Sequence, residues 1–169
     1  MSDVLVWLEN SQLSVFIREW PSILGFPSIL FLHTLGLAMV AGAAIAIDLW
    51  ILQRPLLALP LRIVGLNRTM WLGFGINLFS GLALLVAYPA KALTNWVFYL
   101  KMALVVLAVW ISARIHRQLL PTDGARVAAG IAPLARAWAV ASLITWLAAI
   151  VTGRLLAYTY QVLFASELA

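Results

Sequence analysis

The residues of this chain that could do chemistry are few, and most of them interrupt long apolar stretches. His33 and Asp48 lie within the apolar stretch 27–52, Lys101 lies near the start of a later one, and His116 lies near its end. Ionisable side chains placed in this way usually face the interior of a membrane protein and serve in binding, proton transfer or ion pairing. They define the candidate sites, and the distances between them decide which chemistry they could share.

The composition predicts a polytopic membrane protein. Of the 169 residues, 64% are hydrophobic and 10% are charged, whereas a soluble domain has about 25% charged residues. Four stretches reach the roughly 20 residues that a spanning helix needs, so we expect an all-α integral membrane four-helix bundle in a single domain, 1–169. Because the chain has no cysteine, disulfides, iron–sulfur clusters, thiolate metal sites and cysteine nucleophiles are excluded.

The hydropathy pattern sets approximate boundaries for these elements. An N-terminal helix over about 3–17 is too polar to span and is expected to lie in the membrane interface. The connections 53–68 and 119–133 are long enough to hold short interfacial segments, and 89–94 predicts a tight hairpin. The four spans are predicted at about 27–52, 69–88, 95–118 and 134–160.

The basic residues predict the orientation. One side of the bundle is predicted to carry seven of them and the other side four. The first group is Arg54, Arg62, Arg68, Arg114, Arg117, Arg126 and Arg136, and the second is Arg18, Lys91, Lys101 and Arg154. By the positive-inside rule the first group faces the cytoplasm, which places both termini on the outer, periplasmic side of a bacterial inner membrane. This asymmetry also accounts for the net charge of +5 without a nucleic-acid partner.

The predicted topology separates the two histidines. His33 enters span 1 from the outer side, and His116 lies some twenty residues along span 3, so the imidazoles should be roughly 20 Å apart along the membrane normal. Two histidines at that separation cannot ligate one haem within a single chain. His116 is expected to be a solvated or headgroup-contacting residue.

His33 has two interpretations. It could be a neutral histidine bonded to a backbone carbonyl or to Tyr99, or it could hold haem b or a quinone head group in an outer-leaflet pocket. In the second case His33 would ligate the haem iron or hydrogen-bond the head group, while Lys101 and Arg154 would bind propionates or a carbonyl oxygen. Tyr99 and Tyr158 could reach the same depth. Lys101 shares a helix face with small residues, whereas Arg154 could instead extend to the headgroups.

Asp48 lies near the cytoplasmic end of span 1 and needs a partner at that depth. Arg114 and Arg136 are predicted near the same level. The sequence therefore favours a structural ion pair between Asp48 and one of these arginines, with a proton-relay carboxylate as the alternative.

The chain resembles a poorly characterised family of small four-span proteins of the bacterial inner membrane. The resemblance covers most of the chain, and each motif is short. It rests on Ile17-Arg18-Glu19, Pro27, His33-Thr34-Leu35-Gly36, Asp48-Leu49, Ser80-Gly81, Phe98 with Lys101, and Gly153-Arg154-Leu155-Leu156-Ala157-Tyr158. It implies the four-span fold and groups His33, Asp48, Lys101 and Arg154 in one pattern, without supplying an activity. A looser likeness runs to the membrane domain of copper-resistance proteins, although this chain has no repeated methionine motif for copper.

Three functions fit these observations. The leading hypothesis is a small redox-associated membrane subunit that binds haem or quinone around His33. The alternatives are a non-catalytic accessory or assembly subunit of a membrane complex, and an oligomeric transport protein for protons or metal ions with His33 and Asp48 at the two ends of one seam. All three imply a homo-oligomer or a larger complex and favour no enzymatic activity of the chain alone. No serine–histidine–acid set lies at one depth, which argues against a hydrolase.

Overall fold

The architecture is all-α, as predicted. A computed structural model describes residues 7–19, 25–53, 61–119 and 132–167, and these contain no strand. The helices in chain order are α1 (Gln12–Glu19), α2 (Phe26–Gln53), α3 (Leu61–Ala87), α4 (Pro89–Leu93), α5 (Trp96–Leu119) and α6 (Ala132–Glu167).

Four of these helices are long and apolar enough to cross a membrane, which confirms the predicted number of spans. Their candidate spanning segments are Phe26–Gln53, Ile63–Ala87, Trp96–Arg117 and Leu134–Leu156. Each exceeds the roughly 20 residues that cross the hydrocarbon region.

Two spanning helices and the N-terminal helix differ in their boundaries from the sequence-based expectation. Helix α3 begins at Leu61, eight residues before the predicted start of span 2, and α6 continues to Glu167 beyond the predicted end at 160. The predicted N-terminal helix over 3–17 is instead a helical turn at 7–9 followed by α1, while residues 3–6 lie outside the described part. The connections expected to hold interfacial segments lie partly at 54–60 and 120–131, which are also outside the described part. The rest of the first connection belongs to α3.

Helix α2 is the centre of the bundle, because it packs along both α3 and α6, while α5 packs along α6. Small residues make the α2–α3 contact close. A methyl group at Gly36 would lie 2.7 Å from the backbone nitrogen of Asn77, and one at Gly73 would lie 2.7 Å from the backbone nitrogen of Val40. Because glycine has no side chain, the two backbones lie closer together here than a larger residue would allow.

The two clusters of buried apolar residues extend from the middle of the bundle to one end. One cluster contains Ile47, Ile51, Ile63, Ile111, Ile115, Ala135 and Ala139, and the other contains Val40, Ala41, Ala43, Ala44, Met70, Ala108 and Trp146. His33 lies two turns beyond Val40 on α2, and Lys101 lies two turns beyond Ala108 on α5. Both polar side chains are therefore beyond the clustered apolar core. We call this the His33 end and the opposite one the Asp48 end.

Polar contacts fix the connections at the His33 end. The Ser14 hydroxyl of α1 is fully buried and donates to the carbonyl oxygen of Ala87 at the end of α3. Asn95 caps α5 by accepting from the backbone N–H of Val97, and its side-chain amide donates to the Thr159 hydroxyl of α6. The predicted tight hairpin at 89–94 is largely the single-turn helix α4.

Candidate functional site

His33 lies on α2 against α3, where two polar side chains contact it. Its Nδ1 lies 3.1 Å from the Ser80 hydroxyl, and the side-chain amide of Asn77 donates to its backbone carbonyl at 2.8 Å. A methyl group at Gly81 would lie 3.2 Å from the imidazole Cε1. The glycine therefore leaves the space that the ring occupies, and Ser80 fixes the direction of the ring.

The hydrogen bonds of Ser80 determine the tautomer of His33. The Ser80 hydroxyl has one hydrogen, and its shortest contact is 2.6 Å to the carbonyl oxygen of Ile76, which can only accept. With that hydrogen committed, the hydroxyl oxygen must accept from Nδ1–H of His33. The Nε2 atom then carries a lone pair, and it has no hydrogen-bond partner among the described residues.

Lys101 projects from α5 toward the same depth of the bundle. It is half-buried, and its ammonium group lies within electrostatic range of His33. Its stem lies against Gly153 of α6, where an added methyl group would be in ordinary contact with Lys101 Cε at 3.6 Å. No carboxylate in the described part of the chain pairs with Lys101, because the ion pairs there are those of Arg18 with Glu9 and Glu19. We call His33, Asn77, Ser80 and Lys101 the His33 layer.

The other residues expected near His33 are not drawn into this layer. Tyr99 is exposed and donates to the carbonyl oxygen of Leu93 rather than to the imidazole. Tyr158 and Arg154 are also exposed on α6. Of the five residues predicted to hold a cofactor, the structure therefore associates His33 with Lys101 alone.

At the other end of the bundle, the predicted ion pair of Asp48 is not formed. Asp48 is only 2% exposed, and its Oδ2 has no hydrogen-bond partner. The guanidinium of Arg114 instead lies over the rings of Trp110 and Trp138, at 5.5 and 6.0 Å from their centroids, and Arg136 is exposed. Both arginines extend away from the core, where aromatic faces and headgroups stabilise a cation without desolvating it.

A small cavity lies beside Asp48. Its volume is about 10 Å³, and its polar lining comes from Asp48, Asn67 of α3, and Ser112 and His116 of α5. The Ser112 hydroxyl accepts a hydrogen bond from the indole of Trp146, on α6, at 3.2 Å. We call this space the Asp48 cavity.

Two further buried oxygens near this cavity have no hydrogen-bond partner. Asn67 lines the cavity, and its Oδ1 is one of them. The fully buried Ser142 hydroxyl of α6 lies beside the Asp48 carboxyl, close enough for electrostatic interaction but without hydrogen-bond geometry. Polar atoms are rarely buried unsatisfied in proteins, so this concentration at one point requires an explanation.

Sequence reasoning missed two residues of α3. Asn67 falls within the predicted connection 53–68, and Ser80 enters only through the motif Ser80-Gly81 of the resemblance. Asn77 lies between Gly73 and Gly81 at four-residue spacing, which predicts a bond across a helix seam, and its donation to His33 confirms this. The signal that could have identified Asn67 and Ser80 is their spacing: Asn67, Gly73, Asn77 and Ser80 fall on one helical face together with buried Ile63.

The separation of the two histidines agrees with the expectation. His33 contacts Ser80 near the end of α3, whereas His116 lines a cavity with Asn67 near its beginning. Thirteen residues of helix between Asn67 and Ser80 correspond to roughly 20 Å.

No group of three or more His, Cys, Asp or Glu side chains that could hold a metal ion occurs in the described ranges. The sequence matches no known protein-family model, and no curated protein or solved structure shows significant similarity to it.

Proposed function

We propose that the chain binds the head group of a quinone or quinol in the His33 layer, as a small subunit associated with a membrane redox complex. The observation that supports this is the state of His33. One ring nitrogen is oriented by Ser80, and the other has a lone pair with no hydrogen-bond partner among the described residues, while the Lys101 ammonium group lies within range of a charge interaction with the ring.

The donor and acceptor pattern suits a quinol. A quinol hydroxyl is a donor that His33 Nε2 can accept, and a histidine held in this way can take up the proton. The Lys101 ammonium is a donor and a cation, so it can bond a quinone carbonyl or the oxygen of a hydroxyl that is losing its proton. When bound, a quinol supplies two electrons and two protons, and a partner subunit would have to receive the electrons.

Haem fits the described residues less well. His33 Nε2 could ligate one face of the iron, since metal-bound histidines usually donate their other ring N–H as His33 does to Ser80. A second axial ligand is not gathered at this depth, because Met102 is exposed and His116 lies at the Asp48 end. Arg154, Tyr99 and Tyr158, which could bind propionates, lie on exposed surfaces.

Titration of the purified full-length protein in micelles with decylubiquinol and decylubiquinone tests the proposal, with the quenching of intrinsic tryptophan fluorescence as readout. We expect Lys101→Ala to weaken binding at least tenfold, the scale of one lost charge-assisted hydrogen bond, and His33→Ala to weaken it severalfold, the scale of a neutral hydrogen bond. His116→Ala is the matched control, because it removes an imidazole from the other end.

Three results would count against the proposal. They are equal affinity of the wild type and His33→Ala, an equal loss in His116→Ala, and a Soret band in the purified protein. The last would favour haem. Unchanged assembly and unchanged function of the host complex with His33→Ala would favour the accessory-subunit alternative.

The tautomer gives a second, independent test. Nitrogen-15 NMR of the labelled protein distinguishes Nδ1–H from Nε2–H imidazoles, and His116→Gln leaves His33 as the remaining histidine. We expect the Nδ1–H form in the wild-type background and a mixture in Ser80→Ala, while Ser80→Thr retains the Nδ1–H form. An Nε2–H signal in the wild-type background would refute the acceptor role of Nε2.

A further inference from the structure

We propose that the Asp48 cavity binds one Na⁺ ion, a site separate from the His33 layer. Oxygen-bearing side chains from three spanning helices line it: Asp48 of α2, Asn67 of α3 and Ser112 of α5. The buried Ser142 of α6 lies near the Asp48 carboxyl, behind this lining. Carboxylate, amide and hydroxyl oxygens are the ligands that hard cations prefer.

The charge of Asp48 supports a cationic occupant. Its side chain is 2% exposed, and no arginine, lysine or histidine in the described part of the chain lies within ion-pair distance. A carboxylate removed from water without a partner carries a large desolvation cost. His116 is the other titratable group that lines the cavity, Arg114 faces tryptophan rings, and the described part of α3 presents no charged group to it.

The unsatisfied oxygens support a metal cation over a proton. A proton on Asp48 would neutralise the charge and supply one donor, which satisfies at most one of the oxygens without a hydrogen-bond partner. A single Na⁺ ion would neutralise the carboxylate and coordinate the amide and hydroxyl oxygens at once. With a protonated Asp48, a water molecule would have to fill the cavity and bond the remaining oxygens.

The size of the cavity limits the occupant. Its volume of about 10 Å³ is close to the smallest space that holds one water molecule. A dehydrated Na⁺ ion is no larger than water, whereas K⁺ and organic cations would need the helices to move apart. Selectivity for Na⁺ over K⁺ is therefore part of the proposal.

Thermal unfolding of the purified full-length protein in micelles tests it. The midpoint is compared in NaCl, KCl and choline chloride at equal ionic strength and at about pH 8, where an ordinary imidazole is neutral. With Na⁺ at ten times its dissociation constant, we expect a rise of about 4 °C in NaCl relative to choline chloride. In KCl the rise should be smaller.

Asp48→Asn keeps the shape of the side chain and removes its charge, so the Na⁺-dependent shift should disappear. Glu19→Gln is the matched control, because Glu19 is an exposed acid on α1, and it should keep the full shift. If Asp48→Asn does not fold, the binding of radioactive Na⁺ is measured for the wild type and for Ser112→Ala, and the two affinities are compared. We expect Ser112→Ala to reduce Na⁺ affinity severalfold.

Equal midpoints of the wild type in the three salts would overturn the proposal, as would an equal Na⁺ shift in Asp48→Asn. Stability that depends on pH but not on the cation, and loses this dependence in Asp48→Asn, would assign a protonated carboxyl with a water molecule instead. None of these results bears on quinol binding at the His33 layer, since the two sites use different side chains.

Discussion

The contact between α2 and α3 allows a stability effect to be worked out from distances. At Gly73, an added methyl carbon would lie 2.6 Å from Met39 Cβ and 2.7 Å from the backbone nitrogen of Val40. At Gly36, it would lie 2.7 Å from the backbone nitrogen of Asn77. Backbone atoms cannot rotate away, so Gly73→Ala and Gly36→Ala must push the helices apart.

The required movement sets the magnitude. Ordinary contact of a Cβ atom begins at 3.4 Å, so the backbones must separate by about 0.7 Å, which forfeits a quarter to a half of each dispersion contact along the seam. Overpacking of this kind costs up to about 3 kcal/mol. Alanine is favoured over glycine within a helix by about 1 kcal/mol, so we expect a net destabilisation of about 2 kcal/mol.

Two other glycines in the same helices provide matched controls. A methyl group at Gly75 of α3 or at Gly42 of α2 would meet nothing within 4 Å. Gly75→Ala and Gly42→Ala should therefore leave the free energy of unfolding unchanged or raise it by up to about 1 kcal/mol. The assay is denaturant unfolding of each full-length variant in the same detergent, followed by far-ultraviolet circular dichroism. If Gly73→Ala were as stable as Gly75→Ala, the close approach of the two backbones would be refuted.

Two further predictions concern buried hydrogen bonds and use the same unfolding assay. Trp146→Phe removes the bond from the indole N–H to Ser112 and should lower the free energy of unfolding by about 1 kcal/mol more than Trp138→Phe, since the buried Trp138 N–H has no partner to lose. Equal losses would contradict this. Asn95→Ala removes both a helix cap and a bond to Thr159, so it should cost about 2 kcal/mol, against about 1 kcal/mol for Thr159→Val. A larger loss of free energy of unfolding in Thr159→Val than in Asn95→Ala would contradict the two roles given to Asn95.

Hydropathy was sufficient to predict four spans but not the beginning of α3. Residues 61–68 include two arginines and Asn67, which lower the mean hydropathy and resemble a loop. Buried Ile63 and Met70 nevertheless continue the face that carries Gly73. The helical spacing of buried residues therefore begins earlier in the sequence than the high mean hydropathy does, because only the inward face of a spanning helix has to be apolar enough to pack against its neighbours.

The predicted ion pair between Asp48 and an arginine is not formed, because the depth of a residue in the bundle does not determine where its side chain points. Arg114 lies near the correct level, but its long side chain reaches the faces of Trp110 and Trp138. An arginine that keeps its head group near the interface avoids the desolvation that a buried pair with Asp48 would require. The sequence predicts the depth of a charged residue in the bundle, whereas the packing of its side chain determines which group it contacts.

The register of the α2–α3 pair explains why both sites form where they do. Helix α2 ends at Gln53 and α3 begins at Leu61, so in an antiparallel pair, residues equally far from these two ends face each other. His33 lies twenty residues before Gln53, and the residue twenty positions after Leu61 is Gly81, which contacts its ring.

The same rule applies at the other end of the pair. Five residues before Gln53 is Asp48, and five residues after Leu61 is the position next to Asn67, with which Asp48 shares a cavity. A second span that began at 69 would shift this register by eight residues, about two helical turns. Ser80 would then not face His33, and Asn67 would not face Asp48. The polar residues of α2 thus face amides, hydroxyls and glycines of α3 in this antiparallel register, and the position at which α3 begins determines whether either site can be predicted from the sequence.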